Sequence, residues 1–312
     1  MAINALLVTR IKGLAEALAG AGLDGIEIQR TQDPLATAAA IGSAEIILAD
    51  PELVAPYLEG AAALQWLQST YAGVESLFRD SPRRDYRLTR IKGLFGPQMA
   101  EYVLGQILAR ERHMLAFSGR QQEKKWQPEP HRQLIELTMG ILGAGDIGGS
   151  VAQAARLFGM TVWGLRTRPG PVAGIDRVMT PDQLDEFLAG ADYLVNLLPS
   201  TPATAGLLSG DRLKACKPGA VLINIGRGDI IDEAALIRAI EQGWLEGAVL
   251  DVFGQEPLPA RSPLWGLPGV TITPHVAAIS FAADVAAIFA GNLSRYLGGE
   301  PLLHQVDWER GY

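Results

Sequence analysis

Three side chains suited to acid–base and anion chemistry follow three successive apolar segments of the chain. Arg227, Glu256 and His275 each lie a few residues beyond such a segment. The carboxyl ends of parallel strands meet at one edge of a sheet, so these side chains are expected to converge. A guanidinium anchors a carboxylate, an imidazolium gives a proton to a carbonyl oxygen, and a carboxylate beside the imidazole raises its pKa. The set predicts hydride-transfer chemistry on a 2-oxo acid.

Each of these residues also has an ordinary structural interpretation. Arg227 could be a solvated turn, Glu256 a loop cap and His275 a packing residue. The sequence alone leaves those alternatives open.

A glycine-rich turn indicates a dinucleotide site, because it follows an apolar strand and precedes an alanine-rich helix. The first glycine permits a tight turn, the second lets the backbone approach a pyrophosphate, and the third allows close helix packing. The helix N-terminus adds unpaired N–H groups for the phosphates. An ordinary glycine-rich turn is the alternative. The predicted cofactor-binding residues here are Gly143, Ala144, Gly145, Asp146, Ile147 and Gly148.

The end of the next strand predicts which dinucleotide is bound. Arg166, Thr167 and Arg168 stand where NAD-preferring proteins of this kind carry an acid that accepts hydrogen bonds from the ribose 2′-OH. A guanidinium cannot accept those bonds, but it can grip a 2′-phosphate. NADP(H) is therefore the predicted cofactor, with NAD(H) as the alternative. Which of the two arginines meets the phosphate is left open, and a solvated basic loop is the structural alternative.

Composition restricts the partners. The chain has 312 residues, 48% of them hydrophobic, which predicts one large or two medium packed domains. A net charge of −7 disfavours nucleic acid and anionic membranes as partners. The single cysteine, Cys216, excludes an intramolecular disulfide, and no residue spacing indicates a metal site. Residues 1–9 are interpreted as a strand rather than a signal peptide, and no apolar run is long enough to span a membrane, so a cytoplasmic location is expected.

Short apolar strands alternate with helical patterns along the chain, which predicts an α/β fold with two doubly wound parallel-sheet domains. A Rossmann cofactor domain (97–279) is predicted to be inserted into a smaller flavodoxin-like substrate domain (1–96 and 280–312). One long helix, from Gly96-Pro97 through Phe117, and a second, from about Ser280 to Leu297, would connect them. The predicted strands are Ile3–Val8, Ile26–Gln29, Glu45–Ala49, Leu64–Gln68, Leu137–Leu142, Thr161–Leu165, Asp192–Leu198, Ala220–Ile225, Gly247–Val252 and Val270–Thr273.

Nearly the whole chain resembles the D-isomer-specific 2-hydroxyacid dehydrogenases. Two further strings, Trp126-Gln127-Pro128 and the tail from Gln305 to Asp307 with Arg310, Gly311 and Tyr312, resemble the subgroup that reduces glyoxylate and hydroxypyruvate. The strings that carry the family resemblance are Gly143–Gly148, Leu197–Pro202, Asn224–Gly228, Leu250–Pro259 and Thr273–Ile279.

The resemblance implies roles for individual residues. The family's Arg/Glu/His triad maps onto Arg227, Glu256 and His275, and the N–H groups of Ala72 and Gly73 would hold the substrate carboxylate. Further cofactor contacts would come from Leu198, Pro199, Ile225, Gly226 and Asp251.

The resemblance also implies a homodimer in which Trp126 reaches the partner's substrate pocket, with the helix 101–117 and the loop after it at the interface. A packing role for Trp126 is the alternative.

The predicted activity is therefore NADPH-preferring reduction of small 2-oxo acids, with His275 as proton donor. Formate oxidation is disfavoured, because formate-oxidising relatives carry an amide where this chain has Glu256. The alternatives are a dehydrogenase for a larger 2-oxo acid such as phenylpyruvate, and a non-catalytic protein that senses a dinucleotide.

Overall fold

Buried apolar runs form the strands of two separate parallel sheets. The computed structural model describes residues 2–309 and 311, so Met1 of the predicted first strand and the tail residues Arg310 and Tyr312 lie outside the described residues. The chain divides into two compact units: unit 1 comprises Met1–Leu94 and Ser280–Tyr312, and unit 2 comprises Phe95–Ile279.

The order of the elements alternates strand and helix through most of the chain. The strands are β1 (Ile3–Val8), β2 (Ile26–Arg30), β3 (Ile46–Ala49), β4 (Trp66–Ser69), β5 (Arg87–Thr89), β6 (Thr138–Leu142), β7 (Thr161–Leu165), β8 (Arg177–Met179), β9 (Tyr193–Asn196), β10 (Val221–Asn224), β11 (Gly247–Leu250) and β12 (Val270–Ile272). The helices are α1 (Leu14–Gly20), α2 (Pro34–Ala40), α3 (Pro51–Val54), α4 (Glu75–Asp80), α5 (Phe95–Glu111), α6 (Met114–Gln122), α7 (Asp146–Leu157), α8 (Leu184–Gly190), α9 (Glu233–Glu241) and α10 (Ala282–Leu297).

Unit 1 contains a five-stranded parallel sheet in the order β2-β1-β3-β4-β5. This is the strand order of flavodoxin-like folds. Strand β3 is buried throughout, as expected for a central strand covered on both faces. Trp66 of β4 packs on the long helix α10, since its ring stacks on Phe289 with centroids 5.2 Å apart. Its indole N–H donates to Thr89 Oγ1 of β5 at 2.7 Å.

Unit 2 contains a seven-stranded parallel sheet in the order β12-β11-β10-β9-β6-β7-β8. The order reverses between β6 and β9, which is where doubly wound sheets bind ligands at their carboxyl edge. Val103 of α5 and Val151 of α7 belong to the same buried cluster as Ile141. Phe187 of α8 belongs with Leu222 to a second cluster, formed by side chains that alternate with those of the first along the strands. The predicted pair of doubly wound sheets is confirmed.

Each of the ten predicted strands is present with ends within two residues of the prediction, but two strands were not predicted. Both are three-residue strands at sheet edges, β5 and β8, and each begins with an arginine. Edge strands bury less surface, so they need no continuous apolar run.

The prediction of one helix from Gly96 through Phe117 is wrong. Helix α5 ends at Glu111, and α6 begins at Met114 after His113, which adopts φ 51°. The left-handed conformation of His113 interrupts the helix, and a nitrogen of its ring lies 2.8 Å from the Pro130 carbonyl oxygen.

None of the described helices combines the length and apolar character that a bilayer crossing requires.

Candidate active site

The imidazole of His275 and the carboxylate of Glu256 form a pair at the carboxyl edge of the unit 2 sheet. His275 follows β12 and Glu256 follows β11, and a hydrogen bond of 2.8 Å joins Nδ1 to Oε2. The other oxygen of Glu256 accepts a hydrogen bond from the Phe253 N–H at 2.9 Å. Both side chains stay accessible, at 54% and 36% of their surface. Within the described residues, Nε2 of His275 has no hydrogen-bond partner, so it can meet a substrate.

Asp251, directly after β11, holds the loop that carries His275. Its buried carboxylate accepts hydrogen bonds from the Thr273 hydroxyl at 2.6 Å and from the N–H groups of Val276 and Ala277, both at 2.9 Å. Its carbonyl accepts the His275 N–H at 2.9 Å. His275 adopts φ 55°, a conformation that costs energy unless the surroundings impose it. The bonds to Asp251 supply that constraint.

The surroundings shift the pKa values of both His275 and Glu256. The hydrogen bond to Glu256 raises the pKa of His275 above its ordinary value, against partial burial and the charge of Arg227, which lower it. Partial burial raises the pKa of Glu256, but the bonds from His275 and from Phe253 N–H outweigh it, so that its net pKa is lowered. The arrangement favours an imidazolium beside a carboxylate.

Arg227 lies in the turn after β10 and is half-buried. Its charge lowers the pKa of both His275 and Glu256, so the three groups lie within electrostatic reach of one another. The next residue, Gly228, has no room for a side chain, because a Cβ there would lie 1.9 Å from the Phe253 carbonyl carbon. The structure thus brings the turn of Arg227 into backbone contact with the loop of Glu256.

The glycine turn has the shape that a pyrophosphate requires. Gly143 adopts φ 97°, and a Cβ there would come within 3.0 Å of the Leu197 backbone. A Cβ on Gly148 would lie 2.7 Å from the Gly143 carbonyl oxygen, so the third glycine permits the helix to pack on the turn. At Gly145 the position faces open space, with nothing within 4 Å. Helix α7 then begins at Asp146 without a side-chain cap, which leaves N–H groups for an anion.

The other predicted cofactor residues differ in exposure. Arg166 is half-buried, and Thr167 and Arg168 are exposed. Neither arginine side chain forms an ion pair or hydrogen bond within the described part of the chain. The remaining predicted contacts fall into two classes of exposure. Ile147, Leu198 and Pro199 are half-buried, whereas Ala144, Ile225, Gly226 and Asp251 are buried.

The predicted substrate loop of unit 1 follows β4. Ala72 and Gly73 are half-buried, and their N–H groups donate to no acceptor in residues 2–309. The strand end before them is fixed by Asp50, a fully buried carboxylate after β3. Asp50 Oδ1 accepts hydrogen bonds from the hydroxyls of Thr9 at 2.6 Å and Thr70 at 2.5 Å. The loop therefore offers two backbone donors on a rigid base.

Trp126 is 100% exposed and touches no catalytic candidate of its own unit. It follows α6, a helix in which no residue is buried and which exposes Met114, Leu115 and Phe117. Arg120 of α6 holds the loop by donating to the Gln127 carbonyl at 3.1 Å.

A second charged cluster lies at the opposite, amino edge of the unit 2 sheet. Glu111 accepts hydrogen bonds from the Tyr193 hydroxyl at 2.6 Å and from Arg132 Nε at 3.1 Å. Asp192, directly before β9, pairs with Lys217 at 2.8 Å and lies 3.6 Å from Arg132. Burial raises the pKa of Glu111, but the bonds from Arg132 and Tyr193 outweigh it, so its net pKa is lowered.

No group of three or more His, Cys, Asp or Glu side chains in the described residues could hold a metal ion.

Sequence reasoning missed Asp50 and Asn196. Each lies at the carboxyl end of a buried strand, as Arg227 does, and each is fully buried. The same signal, a polar residue that ends an apolar strand, would have found both.

A doubly wound dinucleotide fold with an arginine and a histidine–carboxylate pair at its strand ends defines an oxidoreductase of the dehydrogenase class. The family model described as D-isomer specific 2-hydroxyacid dehydrogenase, NAD binding domain, matches residues 104–277. Glyoxylate/hydroxypyruvate reductase A of Escherichia fergusonii is 37% identical over 219 residues, which cover 70% of this chain and 70% of that protein. The chain belongs to the D-isomer specific 2-hydroxyacid dehydrogenase family, as its sequence predicts.

Solved structures agree along nearly the whole length. A D-isomer specific 2-hydroxyacid dehydrogenase family protein from Aeromonas salmonicida is 42% identical, with a TM-score of 0.94 over 99% of this chain and 100% of that chain. The NADPH-dependent glyoxylate/hydroxypyruvate reductase of Sinorhizobium meliloti, crystallised in complex with NADP and sulfate, is 29% identical. Its TM-score is 0.90 over 99% of this chain and 100% of that chain.

Proposed function

We propose that this protein is an NADPH-preferring reductase that converts small 2-oxo acids, such as glyoxylate and hydroxypyruvate, to 2-hydroxy acids. The observation that carries the proposal is the 2.8 Å hydrogen bond between His275 and Glu256, within electrostatic reach of Arg227. The names of the relatives from E. fergusonii and S. meliloti support the same substrates.

The proposed roles follow from the chemistry of each group. The reduced nicotinamide supplies a hydride to the carbonyl carbon. Arg227 offers parallel donors that anchor the substrate carboxylate and polarise the carbonyl. Protonated His275 gives its Nε2 proton to the oxygen as negative charge develops there. Glu256 orients the ring through Nδ1 and stabilises the imidazolium, and in the oxidative direction neutral His275 takes the proton back.

NADP(H) is favoured over NAD(H) by the two arginines after β7. Unlike most cations of this acidic chain, the side chains of Arg166 and Arg168 have no acidic partner in the described residues, so both are available to a 2′-phosphate. The uncapped start of α7 and the open position at Gly145 would hold the pyrophosphate. The NADP complex of the S. meliloti relative supports this choice.

The N–H groups of Ala72 and Gly73 are the proposed donors to the substrate carboxylate, because they have no acceptor within the described residues. Two backbone donors in one turn suit a carboxylate. In this proposal unit 1 is the substrate domain and unit 2 the cofactor domain, as predicted for 1–96 with 280–312 and for 97–279.

One panel of assays tests the proposal. Glyoxylate, hydroxypyruvate, pyruvate and phenylpyruvate are each assayed with NADPH and with NADH, and loss of nicotinamide absorbance is followed. We expect the largest kcat/KM with NADPH and a small 2-oxo acid. A preference for phenylpyruvate would move the substrate to the larger class. Cofactor binding without turnover of any 2-oxo acid would contradict the proposal and favour a dinucleotide-sensing protein.

We also propose that the protein is a homodimer in which α6 and the loop of Trp126 meet the partner. The supporting observation is a helix that buries no residue of its own unit and exposes Leu115 and Phe117 beside the fully exposed Trp126. Sedimentation of the wild type and of Leu115→Glu tests this: we expect a dimer that the charge converts to monomer. A monomeric wild type would contradict it. A cytoplasmic location stays a prediction.

A further inference from the structure

Two buried asparagines stand at the centre of one row across the unit 2 sheet. Asn196 ends β9 and Asn224 ends β10, and the two residues are paired in register. They are 0% and 1% exposed. The five other members of that row are apolar: Met179, Leu165, Leu142, Leu250 and Ile272. Packing of the sheet therefore does not require amides at these places, and a buried amide is costly unless it is hydrogen-bonded.

The two amides form a directional chain of hydrogen bonds. The Leu198 N–H donates to Asn196 Oδ1 at 3.2 Å, and Asn196 Nδ2 donates to Asn224 Oδ1 at 2.8 Å. Asn224 Nδ2 then donates to the Arg227 carbonyl at 3.2 Å. A backbone N–H can only donate and a carbonyl can only accept, so the two ends of the chain determine how both amides are turned.

This series of hydrogen bonds also holds the turn that carries Arg227. Asn224 Oδ1 also accepts the Gly226 N–H at 3.3 Å, so one side chain grips the turn at two points. Gly226 is pressed against the neighbouring loop, since a Cβ there would lie 2.9 Å from the Leu198 carbonyl oxygen and 3.1 Å from Asn196 Nδ2. The two asparagines at the ends of β9 and β10 therefore hold the backbone of Arg227 in place.

We propose that Asn196 and Asn224 are positioning residues that act on the reaction through Arg227. They hold the backbone of its turn so that the guanidinium points where carboxylate and carbonyl arrive, and they couple this turn to Leu198, a predicted cofactor contact. Because guanidinium recognition depends on its direction, a loosened turn lowers the rate even when the arginine is present. This inference rests on the proposed function.

A double-mutant cycle tests the proposal. Asn224→Ala is made in the wild type and in Arg227→Ala, and kcat, KM, NADPH affinity and Tm are measured for all four proteins. In the wild type we expect Asn224→Ala to lower kcat/KM for the 2-oxo acid about 10- to 100-fold, with a smaller change in NADPH affinity. In the Arg227→Ala background the same change should cost less than about 3-fold, since the group it positions is gone.

A matched control separates positioning from stability. Asn292 of unit 1 is also 1% exposed, and its amide bonds Gln68 Oε1 at 3.1 Å and the Leu303 backbone. Asn292→Ala should lower Tm comparably and leave the kcat of the folded fraction unchanged. Asn196→Ser, one bond further from Arg227, is the second variant if Asn224→Ala folds poorly, and it should show a smaller loss with the same dependence on Arg227.

The outcomes distinguish this inference from the function beneath it. Equal losses from Asn224→Ala in both backgrounds, or a loss of kcat that tracks Tm as in Asn292→Ala, would overturn the positioning role in an enzyme that still reduces 2-oxo acids. A wild type that turns over none of them would remove the proposed function, and the inference with it.

Discussion

The carboxyl and amino edges of the unit 2 sheet both carry charged clusters, yet they differ in the kind of cation and in access. At the amino edge, Glu111 faces Arg132 and Asp192 faces Lys217, so each carboxylate meets a permanently charged partner. At the carboxyl edge, Glu256 faces His275, whose charge changes near neutral pH. The Glu111 side chain is 6% exposed, whereas that of His275 is 54% exposed.

This difference shows how a proposed catalytic cluster can be distinguished from a structural one when the pKa values of carboxylates are shifted in both. The pKa of Glu111 and that of Glu256 are both lowered, so the direction of the shift does not discriminate. What discriminates is a partner that can exchange its proton near neutral pH. The cations of the amino edge, Arg132 and Lys217, stay charged there, and we assign that edge to stability.

The largest effect is expected at His275. His275→Asn removes the proposed proton donor and suits the left-handed φ of 55°, because asparagine tolerates that conformation better than most residues. We expect reductive kcat to fall about 10²- to 10⁴-fold with NADPH affinity unchanged. His304→Asn is the matched control, since His304 has φ 58° in unit 1 and should keep full activity. Equal losses of kcat in His275→Asn and His304→Asn would contradict the proposed difference between the two edges of the sheet.

The next effect is a change in pH dependence. In the proposed mechanism reduction needs protonated His275, so kcat/KM should be highest below the raised pKa of His275 and fall as pH rises through it. Glu256→Gln removes the group that raises this pKa, so the fall should move to lower pH, with a loss of about 10- to 100-fold at neutral pH. The pH profiles of both proteins are compared. An unmoved profile would mean that the histidine–carboxylate pair does not set the protonation of the site.

A smaller effect is expected from Arg166 and Arg168, which have no acidic partner in the part of the chain that the structure describes. Arg166→Gln and Arg168→Gln are each assayed with NADPH and NADH. Replacing the arginine that meets the 2′-phosphate should raise KM for NADPH about 5- to 50-fold and leave KM for NADH nearly unchanged. The other variant serves as the control for loss of one positive charge. Parallel changes with both cofactors would show that neither arginine reads the phosphate.

The smallest catalytic effect is expected at the amino edge. Glu111→Gln leaves Arg132 without its carboxylate and should lower the stability by roughly 1–3 kcal/mol while kcat stays unchanged. The folded pKa of Glu111 lies below its ordinary value of 4.5, so its stabilisation is present above that pH and is lost as pH falls below it. The Tm difference between the variant and the wild type should therefore shrink in acid. A fall in kcat would make the amino edge part of the catalytic machinery.

Much of this organisation could be predicted from the sequence, because central parallel strands are covered on both faces and so appear as continuous apolar runs. The edge strand β8 could not, since Arg177 begins it and only three residues take part. The break at His113 could not either, because the apolar spacing continues through it. The contacts around the break, from the His113 ring to the Pro130 carbonyl and from Arg132 to Glu111, join residues that are far apart in the sequence.

At the site, residue types and their order predicted the positions of Arg227, Glu256 and His275 after successive strands. The supports of that site were not predictable, because they depend on register. Asn196 faces Asn224 only when β9 and β10 pair as they do, and Asp251 reaches the loop of His275 only because β11 and β12 are neighbours. A linear sequence does not show which buried polar groups will meet.

At Gly228, the turn that carries Arg227 lies so close to the loop that carries Glu256 that no side chain fits between them. A Cβ at residue 228 would lie 1.9 Å from the Phe253 carbonyl carbon and 2.4 Å from the Gly254 nitrogen. A methyl group at residue 228 would therefore push the turn that carries Arg227 away from the loop that carries Glu256. Gly228→Ala is expected to lower the activity although residue 228 carries no reacting group, so the sequence of one loop restricts that of the other.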